Sequence, residues 1–147
     1  VIATSKEHGD VPTFNTIGMI KGVEKPNEYV ILSAHFDSWD GGQGTTDNGT
    51  GSSVMLEAMR ILKKLYPNPK RTIMVGHWGS EEQGLNGSRA FVEDYPEIVD
   101  NIQALFNQDN GTGRVVELSG SGFLHSYEYL SRWLSAVPRD VSKHIET

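Results

Sequence analysis

Glu28-Tyr29-Val30-Ile31-Leu32-Ser33-Ala34-His35-Phe36-Asp37 is a nearly unbroken apolar run that ends on an imidazole and a carboxylate. A run without in-and-out alternation reads as a strand covered on both faces, the condition of a parallel sheet. Upstream, Thr16, Gly18 and Ile20 alternate with Ile17 and Met19, and Lys25-Pro26-Asn27 reads as a turn. The two strands are therefore expected to form an antiparallel hairpin at one side of the sheet. Downstream, Val54, Met55, Ala58, Met59, Ile61, Leu62 and Leu65 recur at three- and four-residue spacing. That pattern predicts a helix over 52–66 whose apolar stripe lies on the sheet, ended by Pro67 and Pro69. Residues 72–78 read as another buried strand, 88–94 as a short helix stopped before Pro96, and 102–107 as a further short strand. Beyond Gly113, residues 114–118 read as strand. Leu124, Tyr127, Leu130, Trp133 and Leu134 predict a helix over 124–136 with a core-facing stripe. Strands alternating with helices give the fold class α/β: a three-layer α/β/α sandwich with a mixed, mostly parallel sheet and the hairpin at one side.

Composition narrows the function. The 147 residues suit one domain, 1–147, and a chain of this size buries roughly 68–70% of its unfolded surface. With 13 Lys and Arg against 19 Asp and Glu, the net charge is −6. The only basic pairs, Lys63-Lys64 and Lys70-Arg71, read as a solvated helix end, so no nucleic-acid partner is expected. No apolar run approaches the roughly 18 residues of a membrane-spanning helix. With no cysteine, disulfides and thiolate chemistry are excluded, and any metal must be held by His and carboxylates. The chain opens on Val1 rather than Met, which suggests a processed piece with any targeting segment removed.

The chemistry gathers behind the strands, where open α/β sheets collect their ligands. His35-Phe36-Asp37 follows the first buried strand, Asp47-Asn48-Gly49-Thr50-Gly51 precedes the long helix, Glu81-Glu82-Gln83-Gly84 follows the next strand, and Gln108-Asp109 the last. His35, Asp47, Glu81, Glu82 and Asp109 would then meet at one rim, where four carboxylates repel unless a cation lies among them. Imidazole with carboxylates suits zinc and admits manganese or cobalt. On extended backbone a carboxylate at 37 would face the same way as His35 and accept its free ring N–H. Adjacent Glu81 and Glu82 point apart, so one would bind metal and the other would face substrate and take a proton from water. Asp47 is placed to bridge two ions.

His-x-Asp, Asp-Asn-Gly-x-Gly, Glu-Glu-x-Gly-Leu-x-Gly-Ser and the downstream Asp together resemble the co-catalytic di-zinc exopeptidases that include leucyl aminopeptidases and glutamate carboxypeptidases. Residues 35–51 are particularly similar to the plasma glutamate carboxypeptidase (carboxypeptidase Q) subgroup, and the likeness runs over about 14–122. The resemblance implies two zinc ions, with His35 and Asp109 on one, Glu82 on the other and Asp47 bridging. It implies Glu81 as general base and Asp37 as the residue that orients His35. The implied reaction is hydrolysis of a terminal peptide bond of a short peptide by metal-activated water, in a secreted or periplasmic protein. The family has one more His ligand well downstream. His125 and His144 fall too early to match it, so the resemblance implies that the C-terminal part of the catalytic domain lies beyond Thr147. An unpaired sheet edge left by that truncation would invite a homodimer. Two rival readings are a single-zinc acyltransferase like the glutaminyl cyclases, and an inactive truncated domain that only binds metal or a partner.

The remaining features read as structural. His77, within an apolar strand, is expected in the core, and His8, His125 and His144 on the surface. Trp39 and Trp78 either line a pocket or pack. Asn48-Gly-Thr, Asn86-Gly-Ser and Asn110-Gly-Thr match the glycosylation acceptor pattern by accident.

Overall fold

The structure, a computed structural model, describes residues 2–109, 111–120 and 122–147. The chain forms two units, Val1–Gly111 and Thr112–Thr147. In the first, β1 (Thr16–Ile20), β2 (Lys25–His35), β3 (Arg71–Trp78) and β4 (Ile102–Asn107) make one sheet in the order β1-β3-β2-β4. β2 runs parallel to both of its neighbours, β3 and β4. Ile31, Leu32, Ser33, Ala34 and His35 are all buried, as the unbroken apolar run requires of a central strand.

β1 is antiparallel and at the edge, but the expected hairpin is not there: β1 pairs with β3, Thr16 opposite His77 and Ile20 opposite Ile73. The chain leaving β1 does not turn back. The Gly22 N–H bonds Thr72 Oγ1 at 3.0 Å, the Val23 N–H bonds the Pro69 carbonyl, and the Glu24 and Lys25 N–H groups bond that of Lys70. A Cβ on Gly22 would sit 2.6 Å from the Arg71 backbone, so only glycine permits this close passage across the start of β3. Lys25-Pro26-Asn27, expected as a turn, lies inside β2 at an irregularity where the pairing jumps from Lys25 to Tyr29. A proline fits there because no ladder hydrogen bond is asked of it.

Each face of the sheet carries its own cluster. α1 (Gly51–Leu65) lays Met55, Ala58, Met59 and Leu62 on Leu32, Ala34 and Val75. Its stripe is narrower than expected, with Val54, Ile61 and Leu65 exposed. On the other face Phe91 of α2 (Asn86–Asp94) joins Ile31, Met74 and Trp78, with Ile98 and Val99 packed against them from α3 (Pro96–Val99) and its end. Helices on both faces complete the α/β/α layering.

The second unit holds α4 (Ser126–Ser135) and α5 (Arg139–Ser142). The strand expected over 114–118 is reduced to one bridge, Glu117 to Glu146, where the Glu146 N–H bonds the Val116 carbonyl and the Leu118 N–H bonds that of Glu146. The core stripe expected on α4 is also absent: Tyr127, Tyr129 and Trp133 are exposed, and so is Leu124 before the helix. Tyr129 instead packs on Trp133 at 6.4 Å, with Arg132 over its ring.

Candidate metal centre

His35 closes β2, and its ring is almost wholly buried. Its Nδ1 lies 3.1 Å from the main-chain carbonyl of Asp37. A carbonyl can only accept, so Nδ1 carries the proton and Nε2 of the neutral ring presents a lone pair. That Nε2 is 3.0 Å from Asp47 Oδ1 and 3.0 Å from Asp109 Oδ1, two further acceptors. The three ligand atoms lie within 4.8 Å of one another, although Asp109 is 74 positions from His35 in sequence. Something positive must lie among them, either a proton on Nε2 or a cation. Burial works to lower the pKa of His35. The charges of Asp109 and Glu81, with the hydrogen bonds to Asp109 and Asp47, outweigh it and hold the ring above the ordinary value of 6.5.

Local sequence fixes the two aspartates. Asp47 precedes Asn48, whose buried amide accepts the Gly51 N–H at the start of α1 (3.0 Å) and donates to the Gln108 carbonyl beside Asp109 (2.9 Å). A Cβ on Gly51 would meet Asn48 Oδ1 at 2.2 Å and the Gln108 carbonyl at 2.5 Å, so the Gly after Asn-Gly-Thr is sterically required. Thr50 Oγ1 lies 2.7 Å from the Thr46 carbonyl and 2.8 Å from that of Gly111, which share its one proton, and Ser52 Oγ donates to the carbonyl of His35. Asn48 and Ser52 thus tie three loops together, and the sequence reading missed both. The Asp-Asn-Gly-x-Gly string holds Asn48 and stops one residue short of Ser52, and the work of both is done with backbone atoms that spacing does not reveal.

Glu81 and Glu82 lie in a loop between Ser80 and Gly84-Leu85, all three with left-handed backbone. Gly79 and Gly87 close its base (N–H to carbonyl, 2.9 Å), stapled by Asn15, whose side chain accepts from Gly79 N and donates to the Gly87 carbonyl. Glu81 lines a cavity of about 300 Å³ in which His35 and Asp109 share the wall with Ile31, Trp78 and Phe91. Glu82 is outside the group of three ligand atoms, but burial first, and then the charges of Asp47, Glu81 and Asp37, raise its carboxyl above the ordinary 4.5 against the pull of His35. Its Oε1 is buried without a hydrogen-bond partner among the described residues. His35, Asp47 and Asp109 offer one imidazole and two carboxylates, a donor set that fits a divalent cation.

The contact expected between the Asp37 carboxylate and His35 is made by the Asp37 main chain instead, the nearer carboxylate oxygen being 3.7 Å from Nδ1. β2 ends at His35, so the same-face rule of extended backbone stops before Asp37. His77 is a core histidine, as expected, with Phe36 at 5.7 Å and its pKa lowered by burial. His8, His125 and His144 are exposed. Trp78 is buried against Phe91 and lines the cavity, while Trp39 is exposed. Asn48 is too buried to accept a glycan, Asn86 is exposed, and Asn110 lies outside the described residues.

A model of peptidase family M28 matches residues 15–145. The chain belongs to peptidase family M28. Carboxypeptidase Q of Xenopus laevis is 39% identical over 105 residues, which cover 71% of this chain and 22% of the relative. A probable glutamate carboxypeptidase of Arthroderma benhamiae is 40% identical over 119 residues, covering 78% and 16%. Among solved structures, a zinc aminopeptidase from Bacillus subtilis superposes with a TM-score of 0.72 at 28% identity, over 89% of this chain and 33% of that one. The M28 chain therefore spans about a fifth of the length of the curated relatives it matches. Among the described residues of this M28 chain, no helix is long and apolar enough to cross a membrane.

Proposed function

We propose that this M28 chain carries the metal-binding and proton-transfer residues of a zinc-dependent exopeptidase that hydrolyses a terminal bond of short peptides. The observation that carries the reading is the convergence of His35 Nε2 on Asp47 and Asp109, three acceptors at 3.0 Å contacts that call for a cation. His35, Asp47 and Asp109 would hold one zinc ion, and Asp47 with the orphaned Glu82 would hold a second. Zinc, when bound, supplies Lewis acidity that polarises a carbonyl and lowers the pKa of water.

The chain's own groups do the rest. Glu81, on the cavity wall, takes the proton of the attacking water and returns one to the departing amine. The apolar wall of Ile31, Trp78 and Phe91 excludes water beside it and offers room to a substrate side chain. The relatives named above are carboxypeptidases and an aminopeptidase, which favours this reading over a cyclase.

The test is a dipeptide panel assayed with zinc added. Glu81→Gln should lower turnover by about 10²–10⁴-fold and leave the zinc stoichiometry unchanged. Turnover retained in that variant would remove Glu81 from its role. Zinc binding with no turnover in the wild type would favour a metal-binding module.

A further inference from the structure

The two glutamates are held from a direction that the roles assigned above do not use. The Glu81 N–H donates to Asp37 Oδ1 at 2.9 Å, and the Glu82 N–H donates to Asp37 Oδ2 at 3.1 Å. One carboxylate thus receives two successive backbone amides, one on each oxygen. Successive N–H groups beside a left-handed residue form a concavity that binds anions, and here Ser80, with φ 55°, precedes the pair. A serine in that conformation has to be held there by its surroundings. The Glu81 carbonyl, in turn, accepts from the N–H groups of Gly84 and Leu85, so the loop is closed on its far side as well.

We propose that Asp37 is a positioning residue whose carboxylate sets Glu81 and Glu82 through their backbone amides, a role separate from the contact that its main-chain carbonyl makes with His35. The split follows from the distances: the carboxylate lies 3.7 Å from His35 Nδ1 and the carbonyl 3.1 Å. The side chain and the main chain of one residue therefore govern different halves of the site. Changing the side chain leaves the carbonyl contact with His35 available and disturbs the glutamates. Asn is not equivalent to Asp here, because its NH₂ would face one of the two N–H donors and only one bond could survive. The consequence for catalysis rests on the exopeptidase reading; the contact itself does not, and its test needs no turnover.

In the wild-type 147-residue chain, scalar coupling across the hydrogen bonds should connect the Glu81 and Glu82 amide nitrogens to the Asp37 carboxyl carbon. That measurement stands even if a variant fails to fold. In Asp37→Asn, hydrogen exchange at these two amides should accelerate about tenfold or more. Zinc affinity, measured against a chelator, should fall about 10–100-fold, the usual effect of losing a group that holds a ligand in place. Absent coupling in the wild type would overturn the proposal. So would a variant with unchanged amide exchange, or one that binds zinc as tightly as the wild type. Turnover retained in Glu81→Gln would count against the exopeptidase reading and leave the Asp37 amide contacts untouched, so the failure of this inference and that of the exopeptidase reading can be told apart.

Discussion

His35 and His77 sit in neighbouring strands, His77 opposite Ala34 and His35 opposite Trp78, and both are almost wholly buried. Their surroundings make them opposites. His35 ends its strand against two carboxylates, whereas His77 has no hydrogen-bond partner for either ring nitrogen among the described residues, and its ring lies against Phe36. The sequence separated them because an acidic residue and a Gly-rich turn follow His35 closely, while His77 is still inside an apolar run. What it did not reveal was the Asp37 contact, because spacing describes side chains and that bond uses a carbonyl. Burial holds the folded His77 below the ordinary 6.5, so the unfolded chain takes up a proton that the folded ring refuses. The stability contributed by the neutral ring is full above pH 6.5 and is lost as the pH falls from there towards the lowered folded value. Glu82 is shifted upward and works in the other direction, so the His77 contribution is read from a difference. Between about pH 7.5 and about pH 5.5, the urea midpoint of wild type should fall more than that of His77→Phe. Parallel midpoints would mean that the ring is hydrated or partnered in solution.

At the scale of elements, the link between the start of α1 and the end of β4 decides whether Asp47 and Asp109 meet. Asn48 makes that link with both ends of its amide. Asn48→Ala removes the side-chain bonds to the Gly51 N–H and the Gln108 carbonyl, and each such hydrogen bond contributes about 0.5–1.5 kcal/mol. Urea unfolding should show a loss of that order, and zinc affinity should drop with it. Undiminished stability would place the link elsewhere. In the core, Met74 is fully buried between the strands and α2, and Met74→Ala should cost about 2–5 kcal/mol by the same measurement. The elements themselves were legible: β2, α1, β3, α2 and β4 fall close to where periodicity and prolines put them. The neighbour of β1 was not, because alternation reports a strand's faces and says nothing about its partner. The stripe on α4 has the spacing of a buried face, yet Tyr127 and Trp133 are exposed, and spacing alone cannot bury them.

Across the whole molecule, residues far apart in sequence share one site because parallel strands deliver their following loops to the same rim. The topology was therefore enough to gather His35, Asp47 and Asp109 before any contact was known. Glu82 was legible as one member of a pair, but its buried, unpartnered oxygen was not, since desolvation depends on the packing of the loop over 79–87. At this rim the charges of Asp47, Glu81 and Asp37 repel that of Glu82, so a bound cation should stabilise the fold as well as complete the site. Zinc at a hundredfold excess over its dissociation constant should add about 2.7 kcal/mol to unfolding, reversibly on chelation. The most direct measurement is titration of zinc into the metal-free chain against a competing chelator, in wild type and in His35→Ala. Saturable binding of at least one ion per chain, lost or greatly weakened in the variant, is the expected result. No binding to the wild type, or binding that His35→Ala leaves intact, would contradict the claim that these acceptors converge to hold a metal.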